Sequence, residues 1–165
     1  MTWLPSIVVL SAILHLPFCG RPGESGGSGD IASALMLDIA GFKRQEPVRI
    51  VPLRHLIPDD YELPAEMKKL AHETMYAADY AKDSVEITIE IYVYSSSRLA
   101  AENYERNEMP GAPAIGFGRD SFIYEGHLMY HDRNRLIQIY SYHPPAAEIE
   151  LTAVARALNE NLRNR

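Results

Sequence analysis

Residues 85–94, VEITIEIYVY, constrain this chain more than any other stretch. Val85, Ile87, Ile89, Ile91 and Val93 alternate with Glu86, Thr88, Glu90, Tyr92 and Tyr94. A period of two sends successive side chains to opposite faces of a strand. One face is wholly aliphatic; the other is polar and aromatic. Such unequal faces suit an antiparallel or mixed sheet with its core on one side, not a doubly covered parallel sheet.

The flanking segments extend that sheet. Thr74 to Tyr80 is expected to pair with the main strand through the Lys82-Asp83-Ser84 turn, and Val48 to Pro52 reads as an edge strand. Ser95-Ser96-Ser97 offers serine oxygens to the free amides of a helix start, predicting a helix over Arg98 to Asn107 with Leu99, Ala100 and Tyr104 inward. A meander follows: Ser121 to Tyr124, His127 to His131 and Arg135 to Tyr142, joined at Glu125-Gly126 and Asp132-Arg133-Asn134. Pro144 and Pro145 then open a final helix. Ala147, Leu151, Val154, Ala155, Leu158 and Leu162 form its apolar stripe, and Glu148, Thr152, Arg156 and Asn159 point outward. Earlier in the chain, Ile31 to Ile39 reads as a helix stopped by Gly41, Leu56 to Leu63 as a loop and Ala65 to His72 as a helix. The expected fold is α+β: a single antiparallel sheet of about four to five strands with helices packed on one face.

The first 18 residues carry no charge, and Ile7 to Leu14 (IVVLSAIL) has the character of a signal-peptide core. Leu16-Pro17-Phe18-Cys19 resembles a bacterial lipoprotein signal, which implies diacylglycerol on Cys19; Pro17 and Phe18 depart from the small residues of that pattern, and ordinary cleavage near Gly20 is the alternative. Gly20 to Asp30 holds five glycines, two serines and one proline. A flexible chain of that length spans about 18 Å. The expected division is a signal peptide over 1–18, a tether over 19–30 and one domain over 31–165. All 38 charged residues follow Cys19, so the net charge of −6 belongs entirely to the part after the expected signal peptide. That charge, without a basic cluster, argues against a nucleic-acid partner and leaves an N-terminal lipid as the route to a membrane.

Cys19 is the only cysteine, which excludes disulfides and zinc–thiolate sites from the domain. His127 and His131 stand four apart, but four residues of strand span about 13 Å, too far for one ion. His72-Glu73 begins like a zinc-protease helix, yet position 76 is tyrosine. No metal or cofactor is expected. Tyrosine is the one unusual feature: six of the ten lie in the main strand and the meander of the expected sheet (Tyr92, Tyr94, Tyr124, Tyr130, Tyr140 and Tyr142). Tyr92 and Tyr94 share a face, as do Tyr140 and Tyr142. Brought together, their rings and hydroxyls suit a sugar ring or a protein surface.

The run from SVEITIEIYVYSSSRLAAENYERN through GRDSFIYEGHLMYHDRNRLIQIYSY to the last helix, with LMLDIAGFKRQEP upstream, resembles small exported bacterial α+β domains of unknown function. In outline the chain is also similar to the α/β/α sandwich of photosystem-associated lumenal proteins. The resemblance implies export and brings no catalytic residues. The expectation is a non-enzymatic envelope domain in the periplasm or on a membrane, binding a protein or glycan partner. The alternative is a small periplasmic hydrolase or ligand-binding enzyme using His127, His131, Asp132 or His143.

Overall fold

The structure, a computed structural model, describes residues 28–55, 62, 71–116, 120–141 and 146–164. Its elements run α1 (Ser28–Leu35), β1 (Lys43–Arg44), β2 (Arg49–Pro52), β3 (Thr74–Lys82), β4 (Val85–Val93), α2 (Ser97–Asn107), β5 (Ser121–Tyr124), β6 (His127–Asp132), β7 (Arg135–Tyr140) and α3 (Glu148–Arg163). The class is α+β, with one antiparallel sheet in the order β1-β3-β4-β7-β6-β5 and β2 beside β1 on the β3 edge. The strand count is seven, not four to five. The nine-residue β3 is long enough to hold two short strands end to end, β1 against Tyr80 and Ala81 and β2 against Thr74 to Ala77.

The hairpins follow turn chemistry. The β3–β4, β5–β6 and β6–β7 links are two-residue loops whose first residues, Asp83, Glu125 and Arg133, have φ of 55°, 45° and 55°. Positive φ there matches the loop's twist to that of the strands.

The aliphatic face of β4 is the core. Ile87, Ile89 and Ile91 meet Ala78 and Tyr80 of β3, Ile137 and Ile139 of β7, and Leu128 and Tyr130 of β6. The α1 residues Ile31 and Leu35 and the α3 residues Leu151, Val154, Ala155, Leu158 and Leu162 cover them. Each fully buried isoleucine contributes roughly 1.5–3 kcal/mol of transfer free energy. Two tyrosines of this face carry hydroxyls into the helix layer and find acceptors there. Tyr80 Oη donates to the Leu35 carbonyl at the end of α1 (2.5 Å), and Tyr130 Oη donates to Asn159 Oδ1 (3.4 Å). Asn159, expected outward, is therefore buried.

The helices do not share one face. Ala100 and Tyr104 of α2 pack with Tyr94, Phe122, Met129 and Leu136, which lie on the opposite side of the sheet from Ile123, Leu128 and Ile137. Phe122-Ile123, Leu128-Met129 and Leu136-Ile137 are adjacent apolar pairs, so β5, β6 and β7 are buried on both sides. The start of α2 is as read: Ser96 is the N-cap and its Oγ accepts from Leu99 N (3.3 Å). The first helix differs. It begins at Ser28, inside the expected tether, because a helix whose first inward residue is Ile31 needs a preceding turn, and Asp30 complements its positive end. It ends at Leu35. Ala40 and Gly41, both at positive φ, instead make a tight turn in which Ile39 and Phe42 exchange backbone bonds of 3.0 and 2.9 Å.

Candidate functional site

The second face of the sheet carries most of the residues with possible chemistry. Strand register lines them up in rows: Asp79, Thr88, Tyr140 and His127; then Ala77, Glu90, Gln138 and Met129; then Met75, Tyr92, Leu136 and His131. The α2 helix covers the side built from Phe122, Met129 and Leu136. There His131 Nε2 meets Asp120 Oδ2 at 3.0 Å, and its ring lies 5.6 Å from that of Tyr104.

The remaining part is polar and largely self-paired. Tyr92 Oη donates to Glu90 Oε2 (2.5 Å). Arg49 forms a two-pronged pair with Asp79, and Thr88 Oγ1 donates to Asp79 Oδ1 (2.8 Å). Burial pushes the Asp79 carboxyl up, but the bonds from Arg49 and Thr88 outweigh it and hold it below the usual carboxylate range.

Two histidines differ from these. His72 sits edge-on to Tyr92 (5.0 Å) and Tyr94 (6.3 Å). His127 sits edge-on to Phe122 (5.8 Å) and Tyr140 (6.0 Å). Each Nε2 is buried and has no hydrogen-bond partner. Burial lowers the pKa of both imidazoles; Glu90 opposes this at His72, and Gln138 and Glu90 oppose it at His127.

Of the expected binding tyrosines, Tyr92 and Tyr140 are half-buried on adjacent strands. Tyr92 stands opposite Leu136 and Tyr140 opposite Thr88, so they are offset by four residues, about 13 Å along the strands, with Glu90 and Gln138 between. Tyr94 is 4% exposed and belongs to the α2 cluster; burial pushes its phenol up to about 12. Tyr142, His143 and Cys19 lie outside the described residues, as do residues 56–61 and 63–70 of the expected loop and second helix. Ala71 and His72, the end of that helix as read, are not helical.

The histidines of the hydrolase alternative do not gather. His127 and His131 occupy opposite ends of β6, each with its own neighbours, and Asp132 turns to the other face and pairs with Arg135 (2.7 Å). No motif in the sequence singles out Glu90 or Gln138. Both acquire a place only from register. Among the described residues no cluster of three or more His, Cys, Asp or Glu could hold a metal ion, and no helix is long and apolar enough to cross a membrane. An apolar depression of about 190 Å³ beside α3, lined by Ala40, Phe42, Lys82, Ile149, Glu150 and Ala153, lies on the other side of the sheet and gathers no reactive set. No family model, curated protein or solved structure matches the chain.

Proposed function

We propose that the chain is an exported bacterial envelope domain, held to the membrane by a lipid on Cys19, that binds a partner through the second face of its sheet without catalysing a reaction. The observation that carries this reading is how that face is paired. Tyr92 bonds to Glu90, Arg49 to Asp79 and His131 to Asp120, so the polar groups satisfy one another instead of converging on a reacting atom. Half-buried Tyr92 and Tyr140 add aromatic area with polar tips, which serves recognition. Export is supported by the charge-free run before Cys19 and the glycine-rich stretch after it.

Photo-cross-linking tests the binding role. A benzophenone amino acid replaces Tyr140 in one strain and Glu105, exposed on α2, in another. A discrete adduct in the envelope fraction, formed from position 140 and not from 105, is the expected result. Equal labelling from both positions, or none from 140, overturns it.

A further inference from the structure

We propose that the exposed apolar end of the α1–α3 layer rests on the bilayer to which Cys19 is tied, leaving the second face of the sheet on the far side from the membrane. This rests on the reading that Cys19 carries a lipid, and adds how the anchored domain stands.

Six large apolar or aromatic side chains are exposed among the described residues. Ile50, Met109 and Tyr124 are scattered, on β2, after α2 and on β5, and single exposed residues of this kind are ordinary. Met36, Leu37 and Ile149 are not scattered. Met36 and Leu37 follow directly on α1, and Ile149 is the second residue of α3. The two segments meet: Ala40 and Phe42 from one, and Ile149 and Ala153 from the other, line an apolar depression of about 190 Å³. Lys82 and Glu150 complete the lining, but they pair with each other at 3.3 Å, and Lys82 Nζ lies 5.5 Å over the Phe42 ring. The lining therefore carries no unmatched charge. Ile149 is 80% exposed between Glu148 and Glu150, in a helix turn that favours acidic residues, so it contributes little to the fold.

The anchor supplies the occupant. Nine peptide units separate Cys19 from Ser28, where α1 begins. Fully extended they span about 30 Å, whereas the eight-residue α1 is about 12 Å long. The chain from Cys19 is thus long enough to pass the whole of α1 and bring its far end down to the headgroups. A lipid on Cys19 keeps a bilayer beside this patch at all times, while a protein must arrive by diffusion. Tethering makes the contact intramolecular, so a weak one suffices. Burying one isoleucine side chain favours it by about ten- to a hundredfold. The net charge of −6 gives no attraction to anionic headgroups, so the apolar side chains themselves must enter the interface. The α1 and α3 helices lie on the opposite side of the sheet from α2, which leaves Tyr92 and Tyr140 away from the lipid.

The test uses the full chain expressed in cells, with its only tryptophan removed by Trp3→Phe and one indole restored, by Ile149→Trp or by Glu105→Trp on α2. The membrane-bound protein is reconstituted into phosphatidylcholine vesicles, with or without bromine atoms near the headgroup end of the acyl chains. The indole at position 149 should be quenched about twofold by the bromines, and the one at 105 should not. The wild-type chain in vesicles doped with a diazirine phospholipid should take adducts within 36–42 and 148–153 and none within 97–107. Quenching at 149 no greater than at 105, in protein that floats with the vesicles, overturns this inference and leaves the anchor standing. A blue-shifted indole at 149 that bromine does not reach means that a second copy or another segment covers the patch, and overturns it too. Protein that stays soluble overturns the anchored reading and this inference with it. Should a variant not fold, the wild-type adducts decide: none within either apolar segment overturns the proposal.

Discussion

Replacing Tyr80 by phenylalanine removes one oxygen from the interior and tests how the first helix is fastened to the sheet. Tyr80 is 0% exposed, and its hydroxyl donates to the carbonyl of Leu35, the last residue of α1, at 2.5 Å. A helix leaves its last carbonyls without partners inside the helix. Leu35 is itself 0% exposed, so water cannot take the place of the lost donor without disturbing the packing of Leu35 against the core. The variant keeps the ring and strands a buried acceptor, which costs about 1–3 kcal/mol. For a domain of this length each kcal/mol moves the midpoint by about 4 °C, so Tyr80→Phe should unfold about 4–12 °C earlier. Thermal and urea denaturation measure the loss, and hydrogen exchange locates it: the amides of α1 should lose protection before those of β4 and β7. A midpoint within 1 °C of wild type, with α1 protection unchanged, would refute the claim that this hydroxyl holds the helix end.

Two local devices make further expectations. Ser96→Ala removes the oxygen that accepts from Leu99 N and should cost about 1 kcal/mol, read as a lower urea midpoint with unchanged slope. Glu125, at φ 45° before Gly126 at φ 81°, occupies a position that favours asparagine. Glu125→Asn should raise stability by about 0.5–1 kcal/mol by relieving the left-handed backbone, and no gain in the urea midpoint would count against that turn geometry.

The main strand was legible because its two faces differ at every step, and a slip of one residue would expose all of its isoleucines. The hairpin links were legible because short polar turns interrupt the alternation. The placement of α2 across the sheet is signalled only by the adjacent apolar pairs Phe122-Ile123, Leu128-Met129 and Leu136-Ile137. Two apolar neighbours in a strand cannot both face a single core. Gly41 reads as a helix stop in the sequence because a glycine after an apolar run suits either a C-cap or a tight turn. Nothing local decides between them; the Ile39–Phe42 bridge does. Asn159 followed helical spacing outward, and only a tyrosine hydroxyl from another strand explains its burial. The site was the least legible part. Period two places Tyr92 and Tyr140 on a common face once their strands pair. Their offset, and the row that sets Glu90 beside Gln138, depends on which residue of β7 stands opposite each residue of β4. That register is a property of the whole sheet.

The proposed placement of this domain at a membrane is tested most directly by the intact mass of the native protein after cell fractionation. The account predicts a membrane-bound species that begins at Cys19 and carries diacylglycerol on its sulfur. A soluble species that retains Met1 to Phe18 would contradict it.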